Sequence, residues 1–182
     1  RFLWTSERDG WNHAYSVSRD GSDVRLLTPG AYDVLGVSSV DTKGGWLYFT
    51  ASPENPAQRY LYRARLDGTG RPVRLTPAGQ AGVHAYNMSP NAAYALHNWS
   101  SFGQPWTTEL VALPSHRSLR VLVANTQLKE RVAALRTGPA EFFSVDIGGG
   151  VSLNGWIMKP PGFDPSRKYP VLFFVYGGPG SQ

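Results

Sequence analysis

The sequence has 182 residues, and 18 lysines and arginines against 13 acidic residues give it a formal net charge of +5. It contains no cysteine, which excludes disulfide bonds, zinc–thiolate centres and a thiol nucleophile, and it has no run of about 18 apolar residues that could form a membrane-spanning helix. The arginines alternate with acidic and apolar residues and form no basic run, so we expect a solvated surface and no nucleic-acid partner.

The first two thirds of the chain contain an internal repeat. Asp20-Gly21 ahead of Leu27-Thr28-Pro29 recurs as Asp67-Gly68 ahead of Leu75-Thr76-Pro77, which places the aspartates 47 and the threonines 48 positions apart. A third copy is more diverged. A period of about 40 to 50 residues that holds four short strands is typical of the blades of a β-propeller.

Two complete units and most of a third are predicted from this repeat. Alternating and β-branched segments mark their strands. The predicted strands are Phe2–Thr5, His13–Ser18 and Val24–Leu27 in the first unit; Val34–Val40, Trp46–Ala51, Tyr60–Leu66 and Val73–Leu75 in the second; and Val83–Met88, Ala93–Trp99, Glu109–Leu113 and Leu119–Val123 in the third. The Asp-Gly pairs favour hairpin turns of type I′, in which both central residues have positive φ.

The pattern changes after about residue 125. Leu128, Val132 and Leu135 are spaced as on a short helix over Gln127–Leu135. Glu141–Ile147 and Ser152–Met158 flank three glycines and predict a hairpin. We therefore predict a mainly β chain, in which residues 1–133 form part of a β-propeller and residues 134–182 the first strands of an α/β-hydrolase domain.

The last segment carries the clearest functional signal. Val171–Val175 is an unbroken apolar run, which predicts a strand buried on both faces. It leads directly into Tyr176-Gly-Gly-Pro-Gly180, which predicts a tight loop. In α/β-hydrolases a loop after such a strand supplies part of the oxyanion hole.

Taken together, the motifs resemble those of the dipeptidyl peptidase IV branch of the prolyl oligopeptidase family over essentially the whole chain. The segments that carry the resemblance are Glu7–His13, Tyr48–Ser52, Pro160–Asp164, and Lys168–Leu172 leading to Val175–Pro179. Members of this family are serine peptidases in which a β-propeller caps an α/β-hydrolase domain. The tyrosine before the glycine loop is the most specific of these features.

The resemblance implies that the hydroxyl of Tyr176 donates a hydrogen bond to the oxyanion, so Tyr176 is the one catalytic residue that we predict. It further implies a homodimeric parent protein that removes dipeptides, ending in Pro or Ala, from peptides with a free N-terminus. A periplasmic or secreted location is favoured by the resemblance, although a cytoplasmic one also fits. The resemblance implies no cofactor.

The sequence leaves alternatives open. No Gly-x-Ser-x-Gly motif occurs in it, so we expect the catalytic triad beyond residue 182 and no peptidase activity from these residues alone. The four histidines, His13, His84, His97 and His116, lie on different strands without metal-ligand spacing, and we interpret them as structural. The rival interpretations are an acylaminoacyl or tripeptidyl peptidase, a catalytically inactive propeller–hydrolase that binds partners, and a free-standing propeller.

Overall fold

The computed structural model describes residues 1–175. The chain divides into two compact units, Arg1–Glu130 and a second one that begins at Arg131. The described residues form β-strands with one short helix, which confirms the predicted mainly β class. The elements are β1 (Phe2–Ser6), β2 (His13–Val17), β3 (Val24–Leu26), β4 (Val34–Asp41), β5 (Trp46–Ala51), β6 (Tyr60–Arg65), β7 (Val73–Arg74), β8 (Val83–Met88), β9 (Tyr94–Ser101), β10 (Gln104–Ala112), β11 (Arg117–Val123), α1 (Thr126–Ala133), β12 (Ala140–Asp146) and β13 (Ser152–Met158).

The first unit contains three antiparallel sheets. They are ordered β1-β2-β3, β4-β5-β6-β7 and β8-β9-β10-β11, so that each strand pairs with its neighbour along the chain. This simple up-and-down order within each sheet is that of propeller blades. The structure therefore confirms two four-stranded units preceded by a three-stranded one, as the repeat predicts.

The two Asp-Gly turns differ from the prediction. Gly21 and Gly68 have φ of 75° and 78°, but neither aspartate is among the described residues with positive φ, so these are not type I′ turns. Instead, Asp20 Oδ1 accepts the Ser22 N–H at 3.2 Å and Asp67 Oδ1 accepts the Thr69 N–H at 2.9 Å. The glycine N–H also donates to the carbonyl three residues earlier, Gly21 to Ser18 at 3.0 Å and Gly68 to Arg65 at 3.1 Å. In the Asp-Gly pair only the glycine adopts the left-handed conformation, and the aspartate side chain adds a second hydrogen bond to the turn.

The middle sheet is buried on both faces, because residues of β5 and β6 alternate between two clusters. Leu47 and Phe49 point into a core shared with Ala14 and Leu27 of the first sheet. Tyr48, one position along, points into a second core, which is shared with the third sheet. Members of this second core are Leu61, Ala92, Ala95, Val111 and Leu113. The alternation of strand side chains therefore joins the three sheets into one unit.

The repeated threonines serve the same purpose in two sheets. Ala14 N–H donates to Thr28 Oγ1 at 2.9 Å, and Leu61 N–H donates to Thr76 Oγ1 at 2.8 Å. Both threonines are buried. Each hydroxyl therefore satisfies a buried backbone donor of the strand next to it, which explains why Thr recurs at these positions.

Neighbouring sheets are also linked through their backbones. Val34 N–H donates to the Asn12 carbonyl at 2.7 Å between the first and second sheets. Between the second and third, the Arg59 N–H donates to the Gly82 carbonyl at 3.1 Å and the His84 N–H to the Arg59 carbonyl at 3.2 Å. We call this second junction, formed by residues 59–61 and 76 with residues 82–86, the β6–β8 seam.

The second unit contains the predicted hairpin. Strands β12 and β13 pair along their whole length, with Phe142 opposite Trp156. Gly149 and Gly150, with φ of 64° and 77°, are the central residues of the turn, in which the Val151 N–H donates to the Gly148 carbonyl at 3.1 Å. Two consecutive residues with positive φ make this a type I′ turn, which glycine forms without strain.

The prediction that Val171–Val175 is a buried strand is wrong for the described structure. These five residues have no regular secondary structure and are 65–94% exposed. A strand depends on hydrogen bonds to a neighbouring strand, and no strand among residues 1–175 pairs with this segment. Within residues 1–175, no helix is long and apolar enough to span a membrane.

Candidate functional site

The predicted catalytic residue, Tyr176, lies outside the described residues. What the structure describes is the segment that leads to it. Asp164 N–H donates to the Tyr169 hydroxyl at 3.0 Å, and the rings of Phe163 and Tyr169 lie 5.1 Å apart. This local turn fixes the course of the chain six residues before Val175.

The same turn is tied to the base of the hairpin. Lys159 Nζ donates to both carboxylate oxygens of Glu141 at 2.7 Å and lies 5.2 Å from the centre of the Phe163 ring. Its backbone N–H donates to the Pro139 carbonyl at 3.0 Å. Lys159 therefore connects the hairpin to the segment that precedes Tyr176, which gives this segment a defined start.

A second cluster of functional groups lies in the first unit and was not predicted from the sequence. Three histidines, far apart in the chain, meet on one face of strands β8, β9 and β10. We call this cluster the histidine array; its members are His84, Tyr86, His97, Glu109 and His116. All three of its histidines are buried.

Hydrogen bonds link the array into a chain. His84 Nε2 lies 3.1 Å from the Gln80 carbonyl oxygen, and His84 Nδ1 lies 2.8 Å from His97 Nε2. His97 Nδ1 lies 2.9 Å from Glu109 Oε1, and Ser118 Oγ donates to the other carboxylate oxygen. The planes of the two imidazole rings are nearly parallel, 6° apart, with their centres 5.1 Å from each other.

A branch of the array reaches the second sheet. Thr76 Oγ1 lies 2.8 Å from the Tyr86 hydroxyl, which in turn lies 2.8 Å from His116 Nε2. Thr76 also accepts the Leu61 N–H, so these contacts form one continuous chain from the Leu61 backbone through Thr76 and Tyr86 to His116. The array thus spans the β6–β8 seam.

Burial dominates the pKa values of the histidines. It lowers the pKa of His84 to about 4, with His97 as the next cause, and it lowers that of His116 to about 4 for the same two reasons. Burial also lowers the pKa of His97, although the Glu109 carboxylate opposes the shift. For Glu109 itself burial raises the pKa, but the hydrogen bonds from Ser118 and His97 outweigh it, and the pKa lies below the ordinary value.

The array has no metal-binding arrangement. Among the described residues, no group of three or more histidine, cysteine, aspartate or glutamate side chains could hold an ion. The nitrogens that a metal would need are already used, since both ring nitrogens of His84 and His97 face hydrogen-bond partners. The described contacts of the array are therefore hydrogen bonds.

A signal for the array was present in the sequence. Side chains two positions apart in a strand share a face, so His84 and Tyr86 share one face of β8, and His97 and Trp99 share one face of β9. The pairing that brings them together, Tyr86 opposite His97, depends on the register of β8 against β9. That register was not predicted.

Comparison with known proteins defines the class to which this architecture belongs. A family model described as the dipeptidyl peptidase IV N-terminal region matches residues 1–106. The chain therefore belongs to the dipeptidyl peptidase IV family, as the sequence motifs predict.

Individual relatives agree with this assignment. The chain is 37% identical over 187 residues to a probable dipeptidyl-aminopeptidase B of Emericella nidulans, covering 100% of this chain and 20% of that protein. It is 30% identical over 177 residues to a dipeptidyl peptidase 4 of Trichophyton equinum, covering 97% of this chain and 23% of that protein. The crystal structure of Porphyromonas gingivalis dipeptidyl peptidase 4 matches with a TM-score of 0.82 and 33% identity, covering 93% of this chain and 23% of that one. The chain spans about a fifth of the length of these relatives.

Proposed function

We propose that the protein to which this chain belongs is a serine exopeptidase that releases dipeptides from the N-terminus of peptides, after Pro or Ala in the second position. Family membership and the printed names of the relatives, dipeptidyl peptidase and dipeptidyl-aminopeptidase, support the proposal. The propeller, of which sheets β1–β11 are a part, would restrict access to peptide ends that are short or unstructured. The catalytic triad would come from outside these 182 residues.

Tyr176 is the residue through which this chain would act in the reaction. When a serine attacks the scissile carbonyl, negative charge develops on the carbonyl oxygen, and a positioned donor stabilises that charge in the transition state. A phenol with a pKa of about 10 stays protonated at neutral pH and can donate without carrying charge. The sequence Tyr176-Gly-Gly-Pro-Gly180, which follows an apolar segment, is the single observation that carries this assignment.

The substitution Tyr176→Phe in the complete protein tests the assignment. Loss of one oxyanion donor is expected to lower kcat for Gly-Pro-p-nitroanilide by about 10²- to 10³-fold. KM should change little, because the hydrogen bond strengthens only in the transition state.

Tyr94→Phe is the matched control. It removes the hydroxyl of an exposed tyrosine on β9, in the first unit. It should leave kcat within about twofold of wild type, as expected for an exposed side chain outside the reaction. Equal kcat in Tyr176→Phe and wild type would contradict the assignment of Tyr176 while leaving the peptidase activity itself standing.

A further inference from the structure

The number of protons in the histidine array can be counted from its hydrogen bonds. The chain Gln80–His84–His97–Glu109 contains three short contacts, and its two ends, a carbonyl and a carboxylate, only accept hydrogen bonds when the carboxyl is ionised. Three hydrogen bonds require three hydrogens, whereas two neutral imidazoles carry two. This count holds whichever ring nitrogen carries each hydrogen.

One additional proton therefore completes the chain of hydrogen bonds. It makes one imidazole positive, and the Glu109 carboxylate, 2.9 Å from His97 Nδ1, balances that charge. In this buried ion pair between His97 and Glu109, Ser118 donates a hydrogen bond to the second carboxylate oxygen. Both oxygens of the carboxylate therefore have hydrogen-bond partners. The array is built to accommodate one proton.

A second additional proton has no place in the array. With both His84 and His97 charged, two N–H groups would face each other across the 2.8 Å contact. A charge on His116 would lie close to that on His97, since the two ring centroids are only 4.8 Å apart. Like charges at such separations in a buried layer repel strongly.

The groups that face the array from the neighbouring strands do not relieve this repulsion. From β6, the Tyr60 ring lies 5.7 Å from the His84 ring, and from β7 the Arg74 guanidinium lies 3.5 Å from the centre of the Tyr60 ring. Arg74 is itself positive, and its own carboxylate partner is Glu54, at 3.5 Å. Glu109 is thus the carboxylate in direct contact with the rings.

We propose that the histidine array is an acid-sensitive latch on the β6–β8 seam, which holds while the array carries at most one additional proton and opens when a second ring becomes charged. Besides the apolar core shared by the second and third sheets, the seam contains the two Arg59 backbone hydrogen bonds and the contact between Thr76 and Tyr86, all of which adjoin the array. Charging the array pushes its rings apart, and the neighbouring contacts are then lost with them. This inference does not depend on the proposed peptidase activity.

The direction of the pH effect follows from linkage. The pKa of His84 and of His116 is about 4 in the closed seam, against about 6.5 for an exposed histidine. Below about pH 6.5 the opened state therefore binds more protons than the closed state, so closure is stable at neutral pH and is lost as the pH falls toward 4. For each proton taken up, the opening constant rises about tenfold per pH unit.

Hydrogen exchange of the complete protein, measured by mass spectrometry between about pH 7.5 and about pH 4.5 and corrected for intrinsic rates, tests the latch. Peptides that cover β6 and β8 should show an opening constant that rises clearly more than tenfold per pH unit, toward about a hundredfold, between about pH 6 and about pH 4.5, because His84 and His116 both take up a proton on opening. Peptides that cover β1–β3 should show a smaller rise. A flat response at the seam, or an equal rise in all three sheets, would overturn the proposal, and this comparison needs no variant.

Three variants separate the array from a merely structural role. The double substitution His84→Gln and His116→Gln removes two titrating rings and should reduce the slope at the seam to about one proton or less. Glu109→Gln removes the balancing charge and should move the onset of opening to higher pH. His13→Gln, at a buried histidine outside the array, should keep the wild-type profile. An unchanged slope in the double variant or an unchanged onset in Glu109→Gln would contradict the latch.

Discussion

Thr28 and Thr76 show what a single residue contributes in this chain. Their recurrence was visible in the sequence as Leu-Thr-Pro, but their role was not, because a threonine before a proline is compatible with a simple turn. Only the fold places each hydroxyl 2.8–2.9 Å from a buried N–H of the adjoining strand. The repeat could therefore be predicted, and the reason for it could not.

Replacing Thr76 by valine tests this role. Valine keeps the shape of the threonine side chain but leaves the Leu61 N–H buried without an acceptor. Thr28→Val likewise removes the acceptor of the Ala14 N–H. Each substitution should lower the free energy of unfolding by about 1–3 kcal/mol, measured by thermal unfolding of the complete protein. Thr69→Val, at an exposed hydroxyl in the Asp67 turn, is the matched control and should change it by less than about 0.5 kcal/mol. Equal effects at positions 69 and 76 would contradict the role assigned to the buried hydroxyl.

The histidine array marks the limit of prediction at the residue scale. His84, His97 and His116 are separated by 13 and 19 positions, and this spacing supported only the interpretation that they are structural residues on different strands. Their meeting depends on the pairing of β8 with β9 and on the left-handed conformation of His116, with φ of 55°. Neither can be inferred from residue spacing.

Strands were predicted best where alternation and repetition agreed. The bounds of β5 and β8 match the prediction at both ends, and those of β1, β2 and β6 differ by one residue at one end. In contrast, Val171–Val175 had only its apolar composition, and composition alone cannot supply the neighbour on which a strand depends. The strand prediction failed there because a strand requires a partner strand from elsewhere in the chain, which the local sequence does not specify.

The β12–β13 hairpin offers a test at the element scale. Gly150 has φ of 77° with nothing within 4 Å of an added Cβ, so Gly150→Ala introduces backbone strain without a clash. It should weaken the hairpin by about 1–2 kcal/mol, seen as faster hydrogen exchange in residues 140–158.

Gly79→Ala provides the control for this substitution. An added Cβ there also meets open space, and the backbone is not in the left-handed region. It should leave exchange in the hairpin unchanged. Similar exchange in the Gly150→Ala and wild-type proteins would show that the turn has another conformation.

At the scale of the whole molecule, the described sheets and the family assignment agree. Three up-and-down antiparallel sheets, joined through a middle sheet that is buried on both faces, form part of the predicted propeller. The assignment of residues 1–133 and 134–182 to propeller and hydrolase domains stays a prediction, as do the homodimer and the location. The chain spans about a fifth of the length of its relatives, and the peptidase activity of the whole protein stays a proposal.

The products released by the complete protein test the central claim most directly. Incubation with a peptide that has a free N-terminus and Pro at the second position, followed by mass spectrometry, should show the N-terminal dipeptide. The same peptide with an acetylated N-terminus should remain intact. Release of a tripeptide, or of an acetylated amino acid from the blocked peptide, would contradict dipeptidyl specificity, and the absence of any cleavage would contradict the proposal that the protein is a peptidase.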